Sequence, residues 1–170
     1  AHIRANQAQR LAELPPGAWP CNTLGHHDAP RVWSRYGDGA HNAELARLHI
    51  ALLLTLKGTP FLFNGEEIGM ADLELSDLAH FRDTSALGQY HMLTRRLGMP
   101  PEQALARVAA STRDRCRSPM QWSDAPNAGF GPPGVAPWLP VMMWPLAVSS
   151  LSICPARTMF VISRLMPSAK

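Results

Sequence analysis

The sequence is poor in the features that define several large protein classes. Its three cysteines, Cys21, Cys116 and Cys154, stand far apart and fit no metal-ligand spacing. That excludes a disulfide framework and a thiolate-held structural metal, and it points to reduced thiols in a cytoplasmic compartment. Charged residues make up only 17% of the 170 positions while hydrophobic types make up 46%, so the chain is expected to be globular rather than disordered. No apolar run approaches the roughly 20 residues that span a bilayer; the run at residues 49–56 is far shorter. The opening Ala-His-Ile-Arg lacks the basic-then-apolar pattern of a targeting segment, and no membrane partner is expected. Sixteen basic residues face thirteen acidic ones, and they are scattered or alternate with aspartate, as in Thr112-Arg113-Asp114-Arg115. Without a contiguous basic stripe, nucleic acid is not an expected partner.

What is present is punctuation. Sixteen prolines and twelve glycines cut the chain into short elements. An apolar helical pattern over residues 8–14 stops at Pro15-Pro16, and residues 18–24 read as a short buried strand ending at Gly25. A polar loop, residues 25–39, follows. From Asn42, an expected N-cap, Leu45, Leu48, Leu52, Leu53 and Leu56 recur at helical spacing, and Gly58 is placed to terminate the helix. Thr59-Pro60-Phe61-Leu62-Phe63 then suits a strand buried on both faces. Strand, loop, helix and strand make a β/α unit. Residues 71–110 are more polar and carry a further helix with Pro101 at its first position and Glu102 beside it. Residues 127–134 are turn-rich.

The chemistry-bearing residues cluster at the loops. Gly25-His26-His27-Asp28 follows a strand, and the C-terminal ends of parallel strands display reactive side chains. Taken alone, such a triplet is more often a cap or a surface turn. A zinc site would need further ligands, and neither His41 nor His49 supplies one at matching spacing, so no metal is expected.

Five more segments follow in order: Asp28-Ala29-Pro30-Arg31 with Ser34-Arg35-Tyr36-Gly37, Gly58-Thr59-Pro60-Phe61, Gly65-Glu66-Glu67-Ile68-Gly69-Met70, residues 113–122 (RDRCRSPMQW), and Asn127-Ala128-Gly129-Phe130. Together, over residues 15–140, they resemble the α-glucosidase branch of glycoside hydrolase family 13, the α-amylase superfamily, which includes oligo-1,6-glucosidases, maltases and trehalose synthase. The resemblance implies an α/β fold. The chain would be the C-terminal portion of a (β/α)8 TIM barrel, about strands 7 and 8 with their helices, plus a small following subdomain. It divides the chain into barrel residues 1–70, a subdomain at 71–140 and an atypical tail at 141–170. It makes Asp28 the third essential catalytic carboxylate, bonding the reacting glucose as its ring flattens toward an oxocarbenium ion. His27, Arg117 and Arg113 would bind substrate, Arg117 facing the first glucose subsite. The implied substrate is a small maltose- or isomaltose-type α-glucoside, with no cofactor. Arg31 and Arg35 are expected to brace the loop, Glu66 and Glu67 to bond backbone, Phe63 and Trp122 to pack, and an Arg113–Asp114 pair is the structural alternative for Arg113.

The departures are informative. His26 stands where the family usually has Asn, Phe63 where Tyr is frequent, and Ser118 where Thr is usual. A complete barrel takes about 250 residues, and the family's nucleophilic Asp and acid/base Glu lie on strands upstream of any segment present. The chain opens without Met and is expected to be a piece of a larger protein, requiring the missing N-terminal barrel half and inactive without it. Residues 141–170 contain four methionines and no acidic residue, as a reading-frame error between Val141 and Cys154 would produce. Two alternatives accompany the hydrolase: a trehalose synthase-type maltose isomerase, and a truncated, non-catalytic product.

Overall fold

The computed structural model describes residues 2–142; the tail from Met143 onward, with its expected frame error, lies outside the described residues. Helix α1 (His2–Ala12) leads to strand β1 (Cys21–Thr23), a short helix α2 (Val32–Tyr36), helix α3 (Asn42–Thr55) and strand β2 (Thr59–Phe61). The two strands are parallel, with Cys21 opposite Thr59, Asn22 opposite Pro60 and Thr23 opposite Phe61. A parallel pair requires a crossover, and α2 and α3 provide it. Helix α1 begins six residues earlier than its apolar pattern and stops before Pro15, since a residue preceding proline is driven out of the helical region. Helix α2 falls inside the expected polar loop.

Asn22 couples strand to helix. Buried in β1, it donates through Nδ2 to the carbonyls of Leu56 and Lys57 at 3.4 and 3.1 Å and accepts from Arg10 Nη1 at 3.0 Å. A buried amide with a full set of partners fixes where the end of α3 sits against the sheet.

Several sequence expectations are corrected here. The start of α3 is capped differently: His41 occupies the N-cap position without a side-chain cap bond, and the Asn42 side-chain Oδ1 instead accepts from Gly39 N at 2.9 Å. Gly58 does not close the helix, because Leu56 already leaves it in an extended conformation. Its φ of +136° serves a close approach: a Cβ there would lie 2.7 Å from both Asn22 Nδ2 and Pro20 O. In β1 only Asn22 is buried, and β2 is exposed along its length rather than buried on both faces. Among the described residues the sheet has two strands, and Trp19, Leu48, Leu54 and Phe61 stand exposed.

The apolar core lies elsewhere, within residues 73–142. Helix α4 (Thr84–His91) runs into a π-helical turn (Met92–Arg96) and packs against α5 (Pro101–Ala109). Pro101 opens α5 as expected. Ala104 and Val108, one turn apart on α5, are fully buried against Leu73, Leu75, Phe81, Ala86, Leu93 and Leu139. The link between this core and the first half is polar. The buried Asp72 accepts from Arg31 N at 2.8 Å and faces Arg115 at 3.6 Å, while Leu73 N, next to it, donates to Arg115 O at 2.8 Å within the second half.

Candidate active site

Asp28 lies on the turn beyond the C-terminal end of β1, closed by the hydrogen bond from Ala29 N to His26 O at 3.1 Å. Behind it the chain is anchored. Arg31, buried and stacked 4.8 Å from the Phe63 ring, donates through Nη1 to Asn64 O at 2.6 Å. The turn after β2 is held by the two glutamates: Glu66 accepts from Phe63 N at 3.0 Å and Glu67 from Gly65 N at 2.8 Å. The paired carboxylates thus bond backbone, as does Arg31. Glu66 packs against Gly25, where a Cβ would collide with its Oε1 and displace that carboxylate.

The other wall comes from the 3-10 turn Arg113–Arg117, whose start is capped by the Thr112 hydroxyl accepting from Asp114 N at 3.3 Å. Arg117 clips the Asp28 turn twice: Nε donates to His27 O at 2.8 Å and Nη2 to Asp28 Oδ1 at 2.5 Å. Arg113 Nη1 reaches the same Oδ1 at 3.4 Å. Asp28 Oδ2 faces His27 Nε2 at 3.2 Å, with side chains 41% and 67% exposed. His26 Nδ1 accepts from Asp28 N at 3.2 Å. Local desolvation raises the Asp28 pKa, but the Arg117 hydrogen bond and the charges of His27, Arg117 and Arg113 outweigh it and hold the carboxyl below its ordinary value. The result is an ionised carboxylate, open to solvent and bracketed by two guanidinium groups and an imidazole. Such a cluster can accept hydrogen bonds from a neutral polyol and meet a developing positive charge. A cleft of about 90 Å³ runs behind Asp28 between Pro30, Thr112 and Arg113.

The structure therefore brings together Asp28, His27, Arg117 and Arg113, four residues separated by up to 90 positions. It also adds Asp83, which sequence reasoning missed. Arg113 pairs with Asp83, through Nε to Oδ2 and Nη2 to Oδ1, both at 2.9 Å, and not with Asp114. Asp114 is buried and accepts from the backbone N–H groups of Arg82 and Asp83 at 2.7 and 2.8 Å. Asp83 caps α4, accepting from Ser85 N at 3.0 Å. That cap was readable in the Asp-Thr-Ser start of the helix; the partner thirty residues on was not. Trp122 is half exposed rather than packed, and Trp138 donates to Arg117 O at 3.2 Å.

A parallel β/α unit presenting this cluster beyond a strand's C-terminal end defines a class, and the chain belongs to it: residues 2–144 match the alpha-amylase catalytic domain family. Within that family it is a member of the α-glucosidase branch. The chain is 41% identical over 127 residues to an alpha-glucosidase from Pediococcus pentosaceus, a match covering 73% of the chain and 22% of that protein. It is 34% identical over 142 residues to an oligo-1,6-glucosidase from Parageobacillus thermoglucosidasius, covering 83% of the chain and 25% of that protein. Among solved structures, the trehalose-6-phosphate hydrolase of Bacillus licheniformis superposes with a TM-score of 0.65 at 35% identity, over 75% of the chain and 22% of that protein. The chain spans about a quarter of the length of these relatives. Its two-stranded sheet is a portion of their (β/α)8 barrel, unclosed here.

Proposed function

We propose that this chain is the C-terminal part of the catalytic domain of a retaining α-glucosidase acting on small maltose- or isomaltose-type oligosaccharides in the cytoplasm. The observation that carries the proposal is the bracketed carboxylate: Asp28 held open at the end of β1 by Arg113, Arg117 and His27. In this reading Asp28 hydrogen-bonds the hydroxyls of the reacting glucose and stabilises the oxocarbenium-like transition state more strongly than the ground state. His27 donates to the same sugar, and the two arginines keep Asp28 ionised and oriented. The nucleophile and the acid/base, which retaining chemistry sets about 5 to 5.5 Å apart, come from the barrel half upstream, so residues 2–142 alone hydrolyse nothing. The separate apolar cluster around Ala104 and Val108 supports a subdomain at 71–140 following barrel residues 1–70.

The test is a graft. Residues 2–142 replace the matching segment of the Parageobacillus oligo-1,6-glucosidase, and turnover is measured on p-nitrophenyl α-glucoside. Asp28→Asn in the graft lowers turnover roughly a thousandfold, about 4 kcal/mol of transition-state stabilisation, with a smaller change in KM. Near-normal turnover of the Asn variant would sink the assignment. Products formed from maltose separate hydrolysis, which gives glucose alone, from isomerisation.

A further inference from the structure

The turn that carries Asp28 sets three metal-binding donors side by side. A ring nitrogen of His26, one of His27 and a carboxylate oxygen of Asp28 all lie within 4.8 Å of one another, and all three residues are exposed. The turn is closed by its own backbone hydrogen bond, and the His26 and His27 rings meet edge to face with centroids 6.0 Å apart. The carboxylate is divided: both guanidinium groups take Oδ1, while Oδ2 faces the His27 imidazole.

We propose that His26, His27 and Asp28 bind a divalent transition-metal ion of the zinc type at the mouth of the sugar site. Two imidazoles and one carboxylate oxygen are the donor set of borderline ions; calcium and magnesium require a shell built of oxygens. The three donors come from successive residues of one turn, so side-chain rotation alone draws them toward the roughly 2 Å bonds that zinc makes, with water completing a tetrahedron. Arg113 and Arg117 oppose a cation. Asp83 offsets the first through its paired bonds, and both act on the oxygen that the metal does not use. The imidazoles are therefore the principal ligands and the affinity is moderate. His26 makes this a property of this chain, because an amide at that position is a poor zinc ligand. Since the proposed function gives Asp28 and His27 to glucose, bound metal excludes the sugar; that consequence rests on the proposed function, whereas metal binding does not.

Zinc sulfate titrated calorimetrically into the purified chain reads the site directly, with cobalt as a spectroscopic substitute. The expected result is one zinc per chain and a cobalt spectrum with four-coordinate d–d bands and no thiolate charge transfer. His26→Asn and Asp28→Asn each weaken zinc about tenfold or more, while His41→Asn and Cys21→Ser leave it unchanged. His26 Nδ1 accepts from Asp28 N at 3.2 Å and His41 Nδ1 meets Asp38 Oδ2 at 2.9 Å, so each variant is first shown by far-UV circular dichroism to match the parent fold. Unchanged zinc affinity in His26→Asn, or binding lost in Cys21→Ser, overturns the proposal. In the grafted enzyme, zinc inhibition that is competitive with substrate and relieved by His26→Asn supports both readings. Zinc that binds the chain without competing with substrate leaves the metal site standing and counts against the sugar site; failure to bind overturns the metal site alone.

Discussion

Asp83 holds Arg113 by two parallel bonds of 2.9 Å while the remaining guanidinium nitrogen reaches Asp28, 85 residues away, at 3.4 Å. One arginine thus ties the cap of α4 to the turn that carries Asp28. The Arg117 hydrogen bond, with the charges of His27, Arg117 and Arg113, holds the Asp28 carboxyl low, and Arg113 together with the bonds from Ser85 N and the Arg113 backbone holds Asp83 far below the ordinary carboxylate range.

Asp83→Ala removes a buried acceptor, a helix cap and one partner of an ion pair in a single step. We expect a loss of about 3 kcal/mol of stability in denaturant unfolding, at the lower end for breaking a buried pair because Arg113 remains partly exposed. Asp83→Asn, which keeps the cap, loses less. A loss below about 1 kcal/mol for the alanine variant would show that the pair contributes no more than a surface salt bridge.

Glu66 carries the opposite shift. Burial raises its pKa against the lowering effects of the Phe63 N–H and the Arg31 charge. A carboxyl whose folded pKa lies above its unfolded value binds its proton more tightly in the native state, so its contribution is present in acid and is lost as pH rises through the raised value. Glu66→Gln, neutral at every pH, should match the parent near pH 4 and exceed its thermal midpoint at pH 7. Melting curves at the two values check this, and a difference independent of pH contradicts it.

At Gly58, alanine must adopt a φ of +136° with its Cβ against Asn22 and Pro20 O. The strain and the collision fall where β1 and β2 are in register. Gly58→Ala is expected to cost about 2 kcal/mol and to weaken the amide protection of Thr59, which donates to Pro20 O at 2.9 Å. Hydrogen exchange at Thr59 as slow as in the parent would refute the role.

Hydrogen exchange should also divide the chain. Amides of α4 and α5, packed on Ala104 and Val108 at 0% exposure, are expected to exchange slowest, and those of α1 and β2, with no buried side chain, fastest. Equal protection across both halves would mean that the two unfold as one unit.

Helix α3 and the Pro101 start of α5 were legible in the sequence because hydrophobic period and proline act within a turn or two of the chain, whereas Asp28 and its neighbours were singled out by resemblance alone. The order of the loop segments carried the family. Tertiary structure decided the rest. Leu48 belongs to the helical period yet stands 60% exposed, and Phe61 lies in an apolar strand yet is 54% exposed, because burial depends on which surfaces arrive opposite. That Arg113 selects Asp83 over its neighbour Asp114, and that Arg113 and Arg117 converge on the Asp28 carboxylate, is likewise a matter of long-range placement. A side chain's partner is fixed by where the fold sets two distant backbones, and local sequence encodes only what each can offer.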